Sequence, residues 1–318
     1  MPAPLDPWSL EQPHSPEPDP AWQESWYFNF FDLSAGVCGL ARIGYRPVAG
    51  KADGLFLAAV DGRPAVLYPA LSRRLASPRV RVGDARDLAT GGLAFSCGDA
   101  LSSWEISLHT RRVDAKMLFT AFTPAYFYPE PSAGAGKSAA HDHYEQAGRV
   151  TGAFRAGRAV RQIHGLGQRD HSWGPRNWAG VGTWTWISAQ FPSGWAFNLW
   201  SVGEDPVPAL SGFVGTAKEN RDLAAGSVEW EAPPEGRSMA GAGISLDTGG
   251  EVRNARFSPL VRWPLYKDGA IIMETFGTFS CGGETGVGVT EYLFRAPRGP
   301  LSYLPHVPGM TRAALCSL

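Results

Sequence analysis

The sequence predicts an all-β protein built as two antiparallel barrels in tandem, and three observations predict it. The chain has 318 residues, enough for two domains on the rough rule of about 150 residues each. Its 38 glycines and 26 prolines punctuate short segments of alternating polarity and leave no long stretch of helical period. Pairs of such segments, joined by tight turn dipeptides, recur along the chain.

In chain order, Met1–Pro20 is rich in Pro, Asp and Glu and has neither a basic start nor an apolar core, so residues 1–20 read as a disordered arm and not a secretory signal. Trp26–Phe31 and Val37–Tyr45 form a first aromatic-rich hairpin, and Gly54–Tyr68 forms a second that turns at Asp61-Gly62. Longer strands are expected at Trp104–Thr110 and Lys116–Tyr128. The polar stretch Glu130–Ala140 reads as a loop, and its AGAGKS lacks the glycine spacing of a phosphate loop. A hairpin at Gly148–Leu166 turns at Ala156-Gly157 and closes a first domain, 21–167. The second domain, 168–318, repeats the opening pattern, because Trp184–Phe191 turns at Pro192-Ser193-Gly194 into Trp195–Val202. Asp205–Ala225 and the C-terminal tail read as short helical or irregular connections. Two further hairpins, Ile244–Phe257 and Ile271–Arg295, turn at Gly249-Gly250 and Gly282-Gly283.

Composition narrows the function classes. With 29 basic and 30 acidic residues, the chain shows no nucleic-acid footprint and no polybasic anchor. No apolar run approaches the roughly 20 residues of a membrane-spanning helix. The four cysteines, Cys38, Cys97, Cys281 and Cys316, are far apart and form no Cys-x-x-Cys pair, as in a cytoplasmic protein with reduced thiols. Six of the twelve tryptophans fall between Trp173 and Trp200, which suggests a pocket for an apolar, unsaturated small molecule.

The stretch Gly165-Leu166-Gly167-Gln168-Arg169-Asp170-His171-Ser172-Trp173-Gly174-Pro175-Arg176-Asn177-Trp178 resembles a signature of the carotenoid 1,2-hydratase and AttH-like superfamily. Glu24–Asp32, His143–Gln146 and Gly288–Leu293 are similar to further parts of its bacterial branches. The resemblance implies two lipocalin-like (calycin-like) barrels in tandem. It also implies lyase chemistry, either hydratases of terminal isoprenoid double bonds or fungal Diels-Alderase-type cyclases of terpenoid and other secondary metabolism. In the hydratases a Tyr-x-Asp pair completes the site. The comparable positions here read Asn198-Leu199-Trp200, which weighs toward cyclisation or isomerisation over plain water addition.

The residues themselves point to acid chemistry. Protonating an alkene requires an acid in a dry site, and an aromatic face stabilises the resulting cation by about 0.5–2 kcal/mol per contact. In a strand, His171 and Trp173 share one face and Asp170 and Ser172 the other. His171 is therefore the expected acid, base or orienting group, with Asp170 or Glu145 setting its charge, although Arg169 and Asp170 also read as a structural ion pair. Glu105, on one face with His109, is another candidate acid. By the same alternation Trp173, Trp184, Trp186 and Trp200 are expected to line the cavity, with Asn198, Tyr27 and Asn29 as hydrogen-bonding partners; the alternative for each is core packing. No nucleotide fingerprint or nucleophile elbow is present, so the expected enzyme needs no cofactor. Two other readings compete: a carrier of hydrophobic ligands, and a cupin-like metalloenzyme using His141, His143 and Glu145 on one strand face.

Overall fold

The computed structural model describes residues 6–128, 142–176, 182–203, 209–307 and 310. The AGAGKS loop, His141, Trp178 and Cys316 lie outside them. The first twelve strands are β1 (Trp22–Asp32), β2 (Val37–Arg46), β3 (Lys51–Val60), β4 (Arg63–Arg74), β5 (Val80–Arg81), β6 (Leu88–Thr90), β7 (Leu93–Cys97), β8 (Ser103–His109), β9 (Val113–Ala121), β10 (Tyr126–Phe127), β11 (Asp142–Ala156) and β12 (Ala159–Pro175). They form one antiparallel sheet in the order β4-β3-β2-β1-β12-β11-β9-β8-β7-β6-β5, with β10 on β11. The second sheet contains β13 (Trp184–Phe191), β14 (Trp195–Val202), β15 (Ala209–Thr216), β16 (Asn220–Asp222), β17 (Ala225–Trp230), β18 (Ala242–Asp247), β19 (Val252–Lys267), β20 (Ala270–Cys281) and β21 (Glu284–Arg295), in the order β16-β15-β14-β13-β21-β20-β19-β18-β17. The first sheet is a nearly closed barrel and the second a half-barrel.

The predicted hairpins form at the expected turns. The segment expected to be helical or irregular after Asp205 instead supplies β15 and β16, because Ala209–Thr216 pairs along the whole length of β14. β12 runs through the 167/168 division and stays in the first sheet to Pro175. Its Gly165-Leu166-Gly167 is a place of close backbone approach: a Cβ on Gly165 would sit 1.9 Å from the Phe31 carbonyl oxygen of β1. Among the described residues no helix is long and apolar enough to cross a membrane.

Strand alternation builds three large cores, with a small fourth one around Ile271, Met273 and Ala296. On β1, Trp22, Trp26, Phe28 and Phe30 point into the first barrel, where they meet Phe56, Phe95, Trp104 and Phe119. Phe31 on the opposite face joins Leu40, Leu57, Trp186, Trp200 and Phe276 in a core between the sheets. Ile187, Phe197, Leu199, Phe257 and Phe279 fill the half-barrel.

The N-terminal segment is expected from sequence to be disordered over residues 1–20; its described part, residues 6–20, includes a short helix and packs on the first barrel. The Asp6 carboxylate accepts the Trp8 N–H at 3.2 Å and caps α1 (Pro7–Glu11), with Pro7 in the first turn. Five residues make too short a helix to persist alone, so side-chain contacts must hold it. Glu11 is fully buried and accepts two hydrogen bonds from the Arg169 guanidinium, at 2.8 and 3.0 Å, and a third from the Tyr144 hydroxyl at 2.7 Å. The Gln146 side-chain oxygen Oε1 accepts from Arg169 Nε at 2.9 Å. Burial disfavours the Glu11 carboxylate, but Arg169 overcomes it and holds the group below its ordinary range.

Glu11→Ala would leave Arg169 buried without its counter-ion, and should cost roughly 3–5 kcal/mol in urea unfolding at neutral pH. In the parent chain the Glu11 contribution is complete above the ordinary carboxylate range and is lost as pH falls through its depressed value. A loss below about 1 kcal/mol in the variant would show that Arg169 finds another partner.

Candidate active site

Between the sheets lies a cavity of about 450 Å³ whose walls follow directly from strand register. On the first sheet Tyr27, Asp170 and Glu145 are cross-strand neighbours on β1, β12 and β11, and Ser172 and His143 are opposite one another in the next row. On the second sheet Trp200, Trp186, Glu291 and Glu274 form one row across β14, β13, β21 and β20. Tyr27, Asp170, Ser172, His143 and these four all line the cavity, together with Trp184, Leu40, Leu55 and Ile272.

Glu274 and Glu291 stand directly opposite each other, Glu274 buried and Glu291 half-buried, and hydrogen-bonded carboxyl to carboxyl. Trp184 Nε1 donates to Glu291 Oε1 at 2.5 Å, while Glu274 Oε2 has no hydrogen-bond partner. Burial raises both groups, and the neighbouring carboxylate raises Glu274 further; Glu291 is pushed up to about 7. Two carboxylates in one dry site cannot both ionise cheaply, so the pair keeps a proton near neutral pH. The Tyr27 hydroxyl, buried and without a hydrogen-bond partner, lies within electrostatic reach of Glu274, Glu291 and Asp170.

Across from the pair, His143 Nε2 makes a close ion-pair contact with Asp170 Oδ2 and a second, at 3.2 Å, with Glu145. Burial opposes the imidazolium, yet Asp170 and Glu145 outweigh it and push His143 up to about 9. Asp170 feels burial first as well, but His143 and Arg176 hold it below its ordinary value, and Ser172 Oγ donates to it at 3.1 Å. Glu145 is fixed by Trp186 Nε1 at 2.7 Å and by the Gln168 amide, and burial raises its pKa. The donor atoms of His143, Glu145 and Asp170 lie within 4.8 Å of one another, as do those of His14, Glu24 and His171. Either set has the composition of a cation site. In the first, however, both Glu145 oxygens already accept hydrogen bonds.

The structure separates the residues grouped by the sequence. His171 and Trp173 do share a face, as alternation requires, but that face turns away from the cavity into the first barrel. The His171 ring nitrogens meet the Leu10 carbonyl at 3.0 Å and Glu24 at 2.8 Å, and the ring stacks on Trp26. Trp173 stacks on His14, with ring centroids 3.7 Å apart, and His14 is itself bound to Glu24 at 2.7 Å. His171 and Trp173 thus hold the N-terminal segment. Arg169 pairs with Glu11 and not with Asp170, because the two neighbours leave β12 on opposite faces.

Tyr27, Trp184, Trp186 and Trp200 line the cavity, and so does Asp170, expected instead beside His171 as the group that sets its charge. Glu145 stands just behind it. Asn198 accepts a short hydrogen bond from Tyr128, whose ring stacks on His143, and Asn29 Oδ1 accepts the Gln168 N–H at 2.8 Å; both are buried supports. Glu105 and His109 are on the surface, 45% and 81% exposed, and paired with Lys116 and Asp114. Glu274 and Glu291 escaped the sequence reading, although the signal was present: each lies eight residues from the Gly282-Gly283 turn, which sets them opposite on one face.

The two barrel-like antiparallel sheets are a fold shared with several solved structures. Similar solved structures include a protein assigned as an AttH in Nitrosomonas europaea, with a TM-score of 0.64 and 15% identity over 86% of this chain and 92% of that one. Kievitone hydratase from Nectria haematococca gives 0.61 and 14% identity over 92% and 93%. CghA bound to Sch210972 gives 0.59 and 12% identity over 87% and 89%. A family model described as a domain of unknown function, DUF7064, matches residues 9–296, and the chain belongs to that family. A search of curated proteins found no match.

Replacing Asp170 with Asn removes the chief support of the His143 imidazolium while burial still opposes it. The His143 titration followed by NMR should then fall well below its starting value of about 9. A midpoint that stays near 9 would assign the support to Glu145 instead.

Proposed function

We propose that the cavity is the active site of a cofactor-independent lyase or isomerase that protonates an apolar, unsaturated isoprenoid-like or polyene molecule and directs the resulting cation to cyclisation, isomerisation or hydration. The observation that supports this reading is the proton-sharing Glu274–Glu291 pair in an aromatic-lined cleft. Such a pair is an acid poised for near-neutral conditions. In the proposed cycle a carboxylic acid of the pair gives its proton to one alkene carbon, and positive charge develops on the other. The faces of Trp184, Trp186 and Trp200 stabilise that charge. Asp170, ionised beside His143, then removes a proton from the cation in an isomerisation or cyclisation, or from an attacking water in a hydration. The proton returns to the glutamate pair through solvent, so one proton enters and one leaves in each turnover. Tyr27 would orient the reacting bond from the same row as Asp170. That solved neighbours of this fold include a hydratase, and a protein bound to an organic ligand, accords with the reading.

The test is incubation with a panel of isoprenoid and polyene alkenes in D2O, with mass spectrometry of the recovered compounds. Wild-type protein should introduce deuterium or yield a new product, and the rate should fall as pH rises through about 7, where Glu291 loses its proton. Glu274→Gln and Glu291→Gln should each slow the reaction by about 10²–10⁴-fold while leaving the melting temperature close to wild type. Wild-type rates in both variants would overturn the assignment. A compound that binds but returns unlabelled and unchanged is the outcome for a carrier.

A further inference from the structure

The cleft is not uniformly apolar, and its charged end has a sign. Arg42, Arg176 and Lys267 line it, with Asp53 as the carboxylate among them. Arg42 Nη1, Arg46 Nη2 and Lys267 Nζ approach Asp53 at 3.6, 3.7 and 3.8 Å, all longer than a charge-assisted hydrogen bond. Three cations therefore share one carboxylate, which Arg42 engages most strongly. Asp268, on the outer side, takes Arg46 at 3.8 Å and Lys267 at 4.0 Å. Arg176, deeper in the cleft, faces Asp170 and Glu291, so the mouth cations are Arg42 and Lys267. The glutamate pair, sharing a proton, carries at most one negative charge and lies among the buried tryptophans, away from Arg42 and Lys267 at the mouth.

This end is also the wet end. The Arg42 and Lys267 side chains are 22% and 23% exposed, whereas Trp184, Trp186, Trp200 and Glu274 are buried. Arg42 lies directly opposite Tyr27 on the neighbouring strand, so the cationic mouth continues the row that leads through Tyr27 to Asp170. Burial and the Arg42 charge together push the Lys267 ammonium down to about 8, the behaviour of a cation short of counter-charge. A neutral ligand would cover these cations without compensating them, which is costly; an anionic end would restore the balance.

We infer that the ligand is amphipathic: an apolar unsaturated body lying along the tryptophans, and an anionic head, carboxylate or phosphate, bound at the mouth by Arg42 and Lys267. The inference rests on the cleft being the ligand site proposed above, and it adds a direction, because a head held at the mouth leaves the body to reach Glu274 and Glu291.

Calorimetric titration with two matched pairs tests it: retinoic acid against retinol, and geranylgeranyl phosphate against geranylgeraniol. At least one anion should bind tenfold or more tightly than its alcohol, and the pair that shows this identifies the head. The preference should shrink to within twofold in the Arg42→Gln, Lys267→Met double variant and grow in Asp53→Asn, a rise that a misfolded protein would not produce. Alcohols that bind as well as both anions, no binding by any of the four, or a preference that survives the double variant would each overturn the inference. An anion preference without deuterium uptake in the alkene assay would sink the enzymatic reading and leave this one standing.

Discussion

Successive side chains of a strand leave on opposite faces, and β12 lies where that rule has the largest consequence, because its two faces belong to different interiors. Arg169, His171 and Trp173 enter the first barrel. Gln168, Asp170 and Ser172 face the second sheet. A shift of one residue in the pairing of β12 with β1 or β11 would put the Arg169 cation into the cleft and the Asp170 carboxylate into the barrel core. Glycines at 165 and 167, pressed against the carbonyls of β1, help fix that register.

Each face is then completed by partners of its own kind. Inside the barrel Arg169 needs an anion, and Glu11 is brought to it from the N-terminal segment; His171 and Trp173 receive Glu24 and His14 in the same way. These contacts order a segment whose own helix is too short to form unaided. In the cleft, by contrast, carboxyl groups are crowded together: Asp170 and Glu145 around the one His143 imidazolium, and Glu274 against Glu291. Contacts that hold the N-terminal segment are concentrated on one face of β12 and cavity-lining groups on the other. Two residues adjacent in sequence, Asp170 and His171, therefore serve unrelated purposes.

Much of the fold was legible in the sequence because turn dipeptides and period-two alternation are local signals. The hairpins at Asp61-Gly62, Gly249-Gly250 and Gly282-Gly283, and the shared face of Trp184 and Trp186, are properties of neighbouring residues and survived intact. What alternation does not say is which face looks inward and to what. It correctly set His171 with Trp173 and Asp170 with Ser172, but the choice of cavity face depends on a second sheet more than ten residues further along the chain. The N-terminal segment misled for the same reason: its polar composition reads as disorder until Arg169 is known to lie buried and in need of an anion. The acid pair is a different case. The hairpin turn and the two glutamates were all present, and their meeting required only counting residues from the turn.

That pair also explains why the cleft needs its opposite end. A carboxyl pair keeps its proton only while the surroundings are poor in water and in positive charge; an arginine or lysine beside Glu274 would ionise both members and abolish the acid. The tryptophans exclude water locally, and the cations Arg42 and Lys267 stand at the mouth around Asp53, toward solvent. Asp170 and His143 between them are ionised, but nearly neutral as a unit. The cleft therefore runs from a cationic rim of Arg42 and Lys267, through the Asp170–His143 ion pair with Arg176 beside it, to the glutamate pair. A ligand with two chemically different ends would meet this gradient in one orientation, with its apolar end at the proton.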